Sequence, residues 1–160
     1  MLKLYKEIDG VLNYWETWDK NNSVAIIHWG VVGEKGQSKE IKSGLFSSFR
    51  KKVQEEVDMK IKDSFNEMSD KDIHKLIVEY KIEGIGKEID INKRHKLEVK
   101  MNEVLGWTGL GHCDGGSMGS GTMEVCCLVV SFDVAKKVIE VELSNTEFSD
   151  YLRIFDENVN

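Results

Sequence analysis

The sequence contains no proline, so its boundaries have to be read from glycine, asparagine and changes of hydrophobic period. Long apolar runs are missing as well. No uncharged stretch approaches the roughly 18–20 residues that cross a bilayer, and the N-terminus MLKLYKEIDG lacks the apolar centre of a secretory signal. No membrane partner is expected, and the expected compartment is the cytoplasm. Cysteine is scarce: Cys113, Cys126 and Cys127 make an odd number, two of them adjacent. That is a poor disulfide framework and suits thiols in a reducing compartment. An excess of positive charge is also missing. The formal net charge of −6 is uneven, because residues 1–75 carry 13 Lys/Arg against 13 Asp/Glu while residues 76–160 carry 9 against 15. Affinity for phosphate backbones comes mainly from Lys and Arg, so the acidic second half is not expected to lie on DNA or RNA, and the neutral first half stays open to it.

What is present is enough to fold. Apolar residues make up 41% of the 160 and charged residues 31%, which supports a buried core and argues against disorder. A chain of this length fits one ordinary domain or two small ones. Residues 2–8 and 11–18 alternate as strands around Asp9-Gly10, a favoured two-residue hairpin turn. After the polar turn at residues 19–22, SVAIIHWGVVG is rich in β-branched and aromatic residues, and residues 33–36 turn into QSKEIKS. Together these segments predict a four-stranded antiparallel sheet. From Phe46 the period changes: Phe46, Phe49, Val53, Val57, Ile61 and Phe65 recur at steps of three or four and predict one face of a long helix that covers the sheet, with Ser43 or a neighbour as its cap.

A polar stretch at residues 68–72 suggests a boundary, giving a first domain over 1–70 and a second over 76–160. In the second, the pattern predicts a strand at 76–82 and a helix around 91–105 with Leu97, Met101, Val104 and Leu105 on one side. A glycine-rich stretch from Gly106 to Gly121 follows, read as a bulged hairpin. The apolar run MEVCCLVVSF reads as a central strand, covered on both faces or deeply placed. A helix over 133–143 shows Val134, Val138 and Val141 with Ala135 and Ile139, and a last strand is expected at 151–155. The order is that of a ferredoxin-like βαββαβ unit, so the predicted fold class is α+β throughout.

Tyr14-Trp15-Glu16, then His28-Trp29-Gly30-Val31-Val32-Gly33, then Gly36-Gln37 and a long helix are together similar to the WGR domain, over about residues 2–67. The family occurs in some bacterial proteins and in DNA-dependent poly(ADP-ribose) polymerases, where it helps to grip DNA near a strand end. The resemblance implies a small sheet with one packed helix. It also implies that nucleic-acid or partner contacts fall on Trp29 and Gly30, with Lys35, Gln37 and Lys39 as the nearby polar groups. Val31 stands where the family has its motif arginine, which removes a guanidinium that could reach phosphate. Lys35, Lys39, Lys42, Arg50, Lys51 and Lys52 would make a basic patch, but Glu34, Glu40, Glu55 and Glu56 are interleaved and favour an ordinary solvated surface. The stretch GWTGLGHCDGGSMGSGTMEV resembles a segment of small uncharacterised bacterial proteins with a ferredoxin-like layout, which implies a fold and no activity.

His112, Cys113, Asp114 and Cys126 are competent metal ligands, and a hairpin could bring Cys113 or His112 beside Cys126. Their spacing matches no established site. Adjacent Cys126 and Cys127 would face opposite ways on a strand, so no metal is expected. His112 and Cys113 diverge for the same reason, and no third residue orients them as a nucleophile pair. The glycines match neither the dinucleotide nor the P-loop pattern, so no cofactor is expected. The sequence therefore points to a non-enzymatic binding module. Its partner is DNA or a protein, the alternative being an acidic accessory or immunity-type factor with no nucleic-acid role, and open sheet edges leave room for a homodimer.

Overall fold

The computed structural model describes residues 1–44 and 47–159. The chain divides into two compact units, Met1–Ser69 and a second that begins at Asp70, and both are built of antiparallel sheet and helix. Among the described residues no helix is long and apolar enough to cross a membrane.

In the first unit, strands β1 (Leu2–Ile8), β2 (Val11–Asn21), β3 (Val24–Val31) and β4 (Gln37–Lys42) form an antiparallel sheet in chain order. Ile8 pairs directly with Val11, and both turn residues, Asp9 and Gly10, have positive φ (51° and 77°), as a two-residue type I′ hairpin requires. The side-chain period of two then sorts the strands onto two faces. Leu4, Trp15 and Ile27 fall on one face, where helix α1 (Phe49–Lys62) supplies Val57, and Leu2, Trp29, Ile41 and Val53 pack around them. Ser48 is the N-cap, its Oγ accepting from Lys51 N at 3.2 Å, while Ser43 Oγ accepts from Phe49 N at 3.0 Å. Lys60 and Lys62 in the last turn complement the helix dipole.

The predicted apolar stripe needs correction at its ends. Ile61 is exposed, because the helix stops one residue later. Phe65 lies beyond the C-cap rather than on the helix, carried into the core by Ser64 with φ 68°. The backbone then bonds Tyr5 to Asn66 in both directions, at 2.7 and 2.9 Å, which ties the segment after the helix to β1. Phe46 lies outside the described residues.

The second unit contains β5 (His74–Lys81), α2 (Glu88–Trp107), β6 (Gly111–Gly119), β7 (Thr122–Val129), α3 (Phe132–Leu143) and β8 (Arg153–Asp156). A short 3-10 turn at Asp70–Asp72 and residues His74 and Lys75 also belong to it, so the boundary falls earlier than residue 76. The sheet order is β6-β7-β5-β8 with every neighbouring pair antiparallel, so β5 and β6 run the same way on either side of β7. Both crossovers pass through a helix. Leu97, Met101 and Leu105 form the fully buried stripe of α2 at steps of four, and Ala135, Ile139 and Leu143 form that of α3. Val141, expected on the inner face of α3, is exposed. β7 is central as predicted, but its burial alternates strictly. Met123, Val125, Cys127 and Val129 are buried, whereas Glu124, Cys126 and Leu128 on the other face are only half-buried. It is a one-sided strand rather than one covered on both faces. On that second face Arg153 reaches the buried Glu79 with two bonds, Nε to Oε1 at 3.1 Å and Nη2 to Oε2 at 3.0 Å.

Candidate functional site

The Tyr14-Trp15-Glu16 triplet occupies one strand, so its residues are divided between faces. Trp15 enters the helix-covered core, and Tyr14 and Glu16 point the other way. His28 pairs with Glu16 across β2 and β3 and joins them: its Nδ1 lies 2.7 Å from Glu16 Oε1, and its Nε2 lies 3.0 Å from Tyr14 Oη. Lys3 Nζ holds the second oxygen of Glu16 at 3.1 Å. An ionised carboxylate only accepts, so Nδ1 donates to Glu16, and in the neutral ring Nε2 is left to accept the Tyr14 hydroxyl. The rings of Tyr14 and Trp18 meet His28 edge-on, at centroid distances of 5.1 and 6.2 Å.

Glycine makes room for this chain of polar groups. Tyr14 is opposite Gly30, where a Cβ would come 3.0 Å from Gly36 Cα and 3.3 Å from the Tyr14 ring. A Cβ on Gly36 would overlap Tyr14 Oη and lie 2.5 Å from His28 Nε2 and 2.7 Å from the Trp29 carbonyl oxygen. Between them Gly33 takes φ 93°, a conformation open to few other residues. The spacing Gly30, Gly33, Gly36 is thus the condition for the β3–β4 loop to lie down on Tyr14 and His28. Gly36 N–H also bonds the Tyr14 hydroxyl. Burial, and then the charge of Glu16, push the Tyr14 phenol well above its ordinary 10.0. It stays protonated at ordinary pH and braces the loop.

The rim of this hairpin carries the residues proposed from sequence. Trp29 is half-buried against the core, Gln37 sits opposite it in register, and Lys39 Nζ stands 5.9 Å from the centre of its ring. Alternation puts Trp29, Gln37 and Lys39 on the same face, so the structure brings these three together. Gly30 faces the other way and serves the packing of Tyr14. Lys35 is exposed in the loop. The wider basic patch is largely paired: Lys39 with Glu56 at 2.6 Å, Lys42 with Glu40 at 2.9 Å and Arg50 with Asp19 at 3.3 Å.

The second group is rearranged from what the spacing suggested. Cys113 lies in register with Cys127, not beside Cys126; β6 bulges at Asp114, and Gly115 is the residue that pairs with Cys126. His112 is exposed opposite Leu128. Asp114 and Cys126 line a different recess, of about 270 Å³, with Lys75, Ser117, Glu124 and Glu157. Among the described residues no three His, Cys, Asp or Glu side chains come together to hold a metal.

Two features escaped the sequence reading. The Tyr14–His28–Glu16 chain had one signal, a carboxylate at a strand position whose neighbours all read as buried. The other is His74, whose Nδ1 bonds the buried Asp156 at 2.7 Å at the edge of a groove of about 470 Å³ with Ser131, Phe132 and Lys136. Those residues are 82 apart in sequence, and nothing local announces the pairing. Comparison with family models, with curated proteins and with solved structures finds no match for this chain.

Proposed function

We propose that the protein is a non-enzymatic binding module whose first unit is WGR-like and contacts nucleic acid through the rim of the β3–β4 hairpin. The observation that carries this reading is the grouping of Trp29, Gln37 and Lys39 on one face of an edge strand pair, above a loop braced by buried polar contacts. A half-buried indole offers a stacking surface without having to be ordered first, Gln37 offers hydrogen bonds, and Lys39 offers a phosphate contact once it exchanges Glu56 for the ligand. Val31 leaves the contact without the family's guanidinium, so modest affinity with a strong salt dependence is expected. The second unit is proposed to be a ferredoxin-like layer, a reading supported by its β6-β7-β5-β8 order and two helical crossovers. Its acidity favours a role in pairing or regulation.

The test is fluorescence anisotropy of labelled nicked and blunt duplex DNA, titrated at low and moderate salt. Saturable binding should weaken as salt rises, and Trp29→Ala should weaken it further by about 1–3 kcal/mol if one base or sugar is stacked. A flat titration at low salt overturns the nucleic-acid reading. The second reading, an acidic accessory or immunity-type factor, rests on the −6 balance of residues 76–160, and a basic protein partner would then be the ligand.

A further inference from the structure

We propose that Cys113 and Cys127 are a cross-strand redox pair that closes to an intramolecular disulfide when hydrogen peroxide oxidises Cys113.

The two residues are Cα partners on β6 and β7. The phase of the ladder fixes the kind of pair they form. Val130 N donates to Leu110 O at 3.0 Å, so residues 110 and 130 are in hydrogen-bonded phase, and the alternation of an antiparallel ladder makes 113 and 127 a non-hydrogen-bonded pair. Cys113 N–H confirms the phase, since it turns away from β7 and donates to Asn102 Oδ1 on α2 at 3.0 Å. Non-hydrogen-bonded partners have Cα atoms about 4.5 Å apart, inside the roughly 4.4–6.8 Å a disulfide bridges. The residual adjustment falls where the strand can give, because the bulge at Asp114 interrupts the ladder next to Cys113 and Gly115 follows with φ 105°.

The roles of the two sulfurs differ. Cys113 is half-buried and Cys127 fully buried, so an oxidant from solvent meets Cys113 first. The facing Cys127 thiol holds the Cys113 thiol below its ordinary 9.0, at about 7, against the opposing effects of burial, Glu98 and Asp114, while Cys113 Sγ lies 3.7 Å from the Gly115 carbonyl oxygen. The same neighbour relation, with burial, pushes the Cys127 thiol up. Cys126, on the other face of β7, is pushed up by burial and has no partner cysteine in register. Cys113 is therefore the attacking sulfur and Cys127 the resolving one.

In the first step the Cys113 thiolate attacks one peroxide oxygen, the O–O bond breaks, and the departing hydroxide takes a proton to leave as water. Cys113 is then a sulfenic acid. In the second, the Cys127 sulfur gives up its proton and attacks Cys113 Sγ, the S–O bond breaks, and a second water leaves. The two thiols lose two electrons in all, and the peroxide gains them. The bond pins edge strand β6 to central β7 beside the bulge.

The experiment treats the reduced full-length protein with equimolar hydrogen peroxide, blocks remaining thiols, and digests it without reduction using a protease that cuts before aspartate. Cleavage before Asp114 and Asp133 separates Cys113 from Cys126 and Cys127, so a Cys113 disulfide appears as two joined peptides. The expected result is that joined species in the wild type and in Cys126→Ser, its loss in Cys113→Ser, and an intact mass lower by two hydrogens. Before oxidation, Cys113 should be alkylated at pH 7 on the order of tenfold faster than Cys126, since its larger thiolate fraction outweighs the lower intrinsic nucleophilicity of a low-pKa thiolate. Chain-to-chain dimers through Cys126, a Cys113 that proceeds to sulfinic acid with Cys127 still free, or three unreacted thiols would each overturn the pair.

Discussion

Replacing Gly36 by alanine tests whether the β3–β4 loop is held down on buried polar groups. The added methyl would overlap Tyr14 Oη and sit 2.5 Å from His28 Nε2 and 2.7 Å from the Trp29 carbonyl oxygen. The last of these is backbone and cannot swing aside, so the loop must lift or the Tyr14–His28 bond of 3.0 Å must break. Overpacking costs about 1–3 kcal/mol. A buried polar group left without its partner costs about 1–3 kcal/mol more, so a loss of about 2–6 kcal/mol is expected. For a unit of this size each kcal/mol moves the midpoint by about 4–8 °C. The assay is thermal unfolding followed by near-ultraviolet circular dichroism, where Trp15, Trp18 and Trp29 report on the first unit and Trp107 on the second. Gly106→Ala is the control: it lies in α2, nothing stands within 4 Å of its added Cβ, and helix propensity should leave it neutral or stabilised by about 0.5–1 kcal/mol. A Gly36→Ala midpoint within a degree of wild type would refute the packing argument, and a Gly106→Ala loss equal to that of Gly36→Ala would refute its specificity.

Leu97→Ala removes a fully buried side chain from the inner stripe of α2 and should cost about 2–5 kcal/mol in denaturant unfolding; Val141→Ala, on the exposed side of α3, should change little. Tyr80→Phe removes a buried hydroxyl that donates to the Phe148 carbonyl at 2.8 Å and should cost about 1–2 kcal/mol, with no loss refuting that bond. In alkali the sign follows from burial, which raises the phenols of Tyr5, Tyr14 and Tyr80 above their ordinary 10.0 in the folded state. Their stabilising effect is complete below pH 10 and is lost as pH rises above it, because the unfolded chain ionises first, at about 1.4 kcal/mol per pH unit for each phenol. Denaturant midpoints between pH 9 and 11.5 should fall steeply, and Tyr80→Phe should fall less steeply; equal slopes would remove Tyr80 from the account.

The sheet of the first unit was legible because every signal for it is local. Alternation in residues 2–8 and 11–18 needs only the pleat, and Asp9-Gly10 needs only the positive φ that both residues adopt. The helices were legible in position but less so in which residues face inward. The stripe of α3 is 135, 139 and 143, while the valines that drew attention lie partly on its outer side. A β-branched residue on a short helix does not by itself say which way the sheet lies. What could not be read were pairings made by register. Cys113 meets Cys127 and not Leu128 because one extra residue at Asp114 shifts the edge strand by one from the register set at the β6–β7 turn, and a shift of one exchanges the faces of everything beyond it. His28 meets Glu16 only after the turn at residues 21–23 has set the β2–β3 register, itself irregular between Asp19 and Asn21. The glycines are the exception. Gly30 and Gly36 look like turn residues in the sequence, yet each stands where a methyl group would strike Tyr14. A glycine flanking a strand end thus records the side chain that the loop must clear, and Tyr14, Gly30 and Gly36 form one packing unit although 22 positions separate the first from the last.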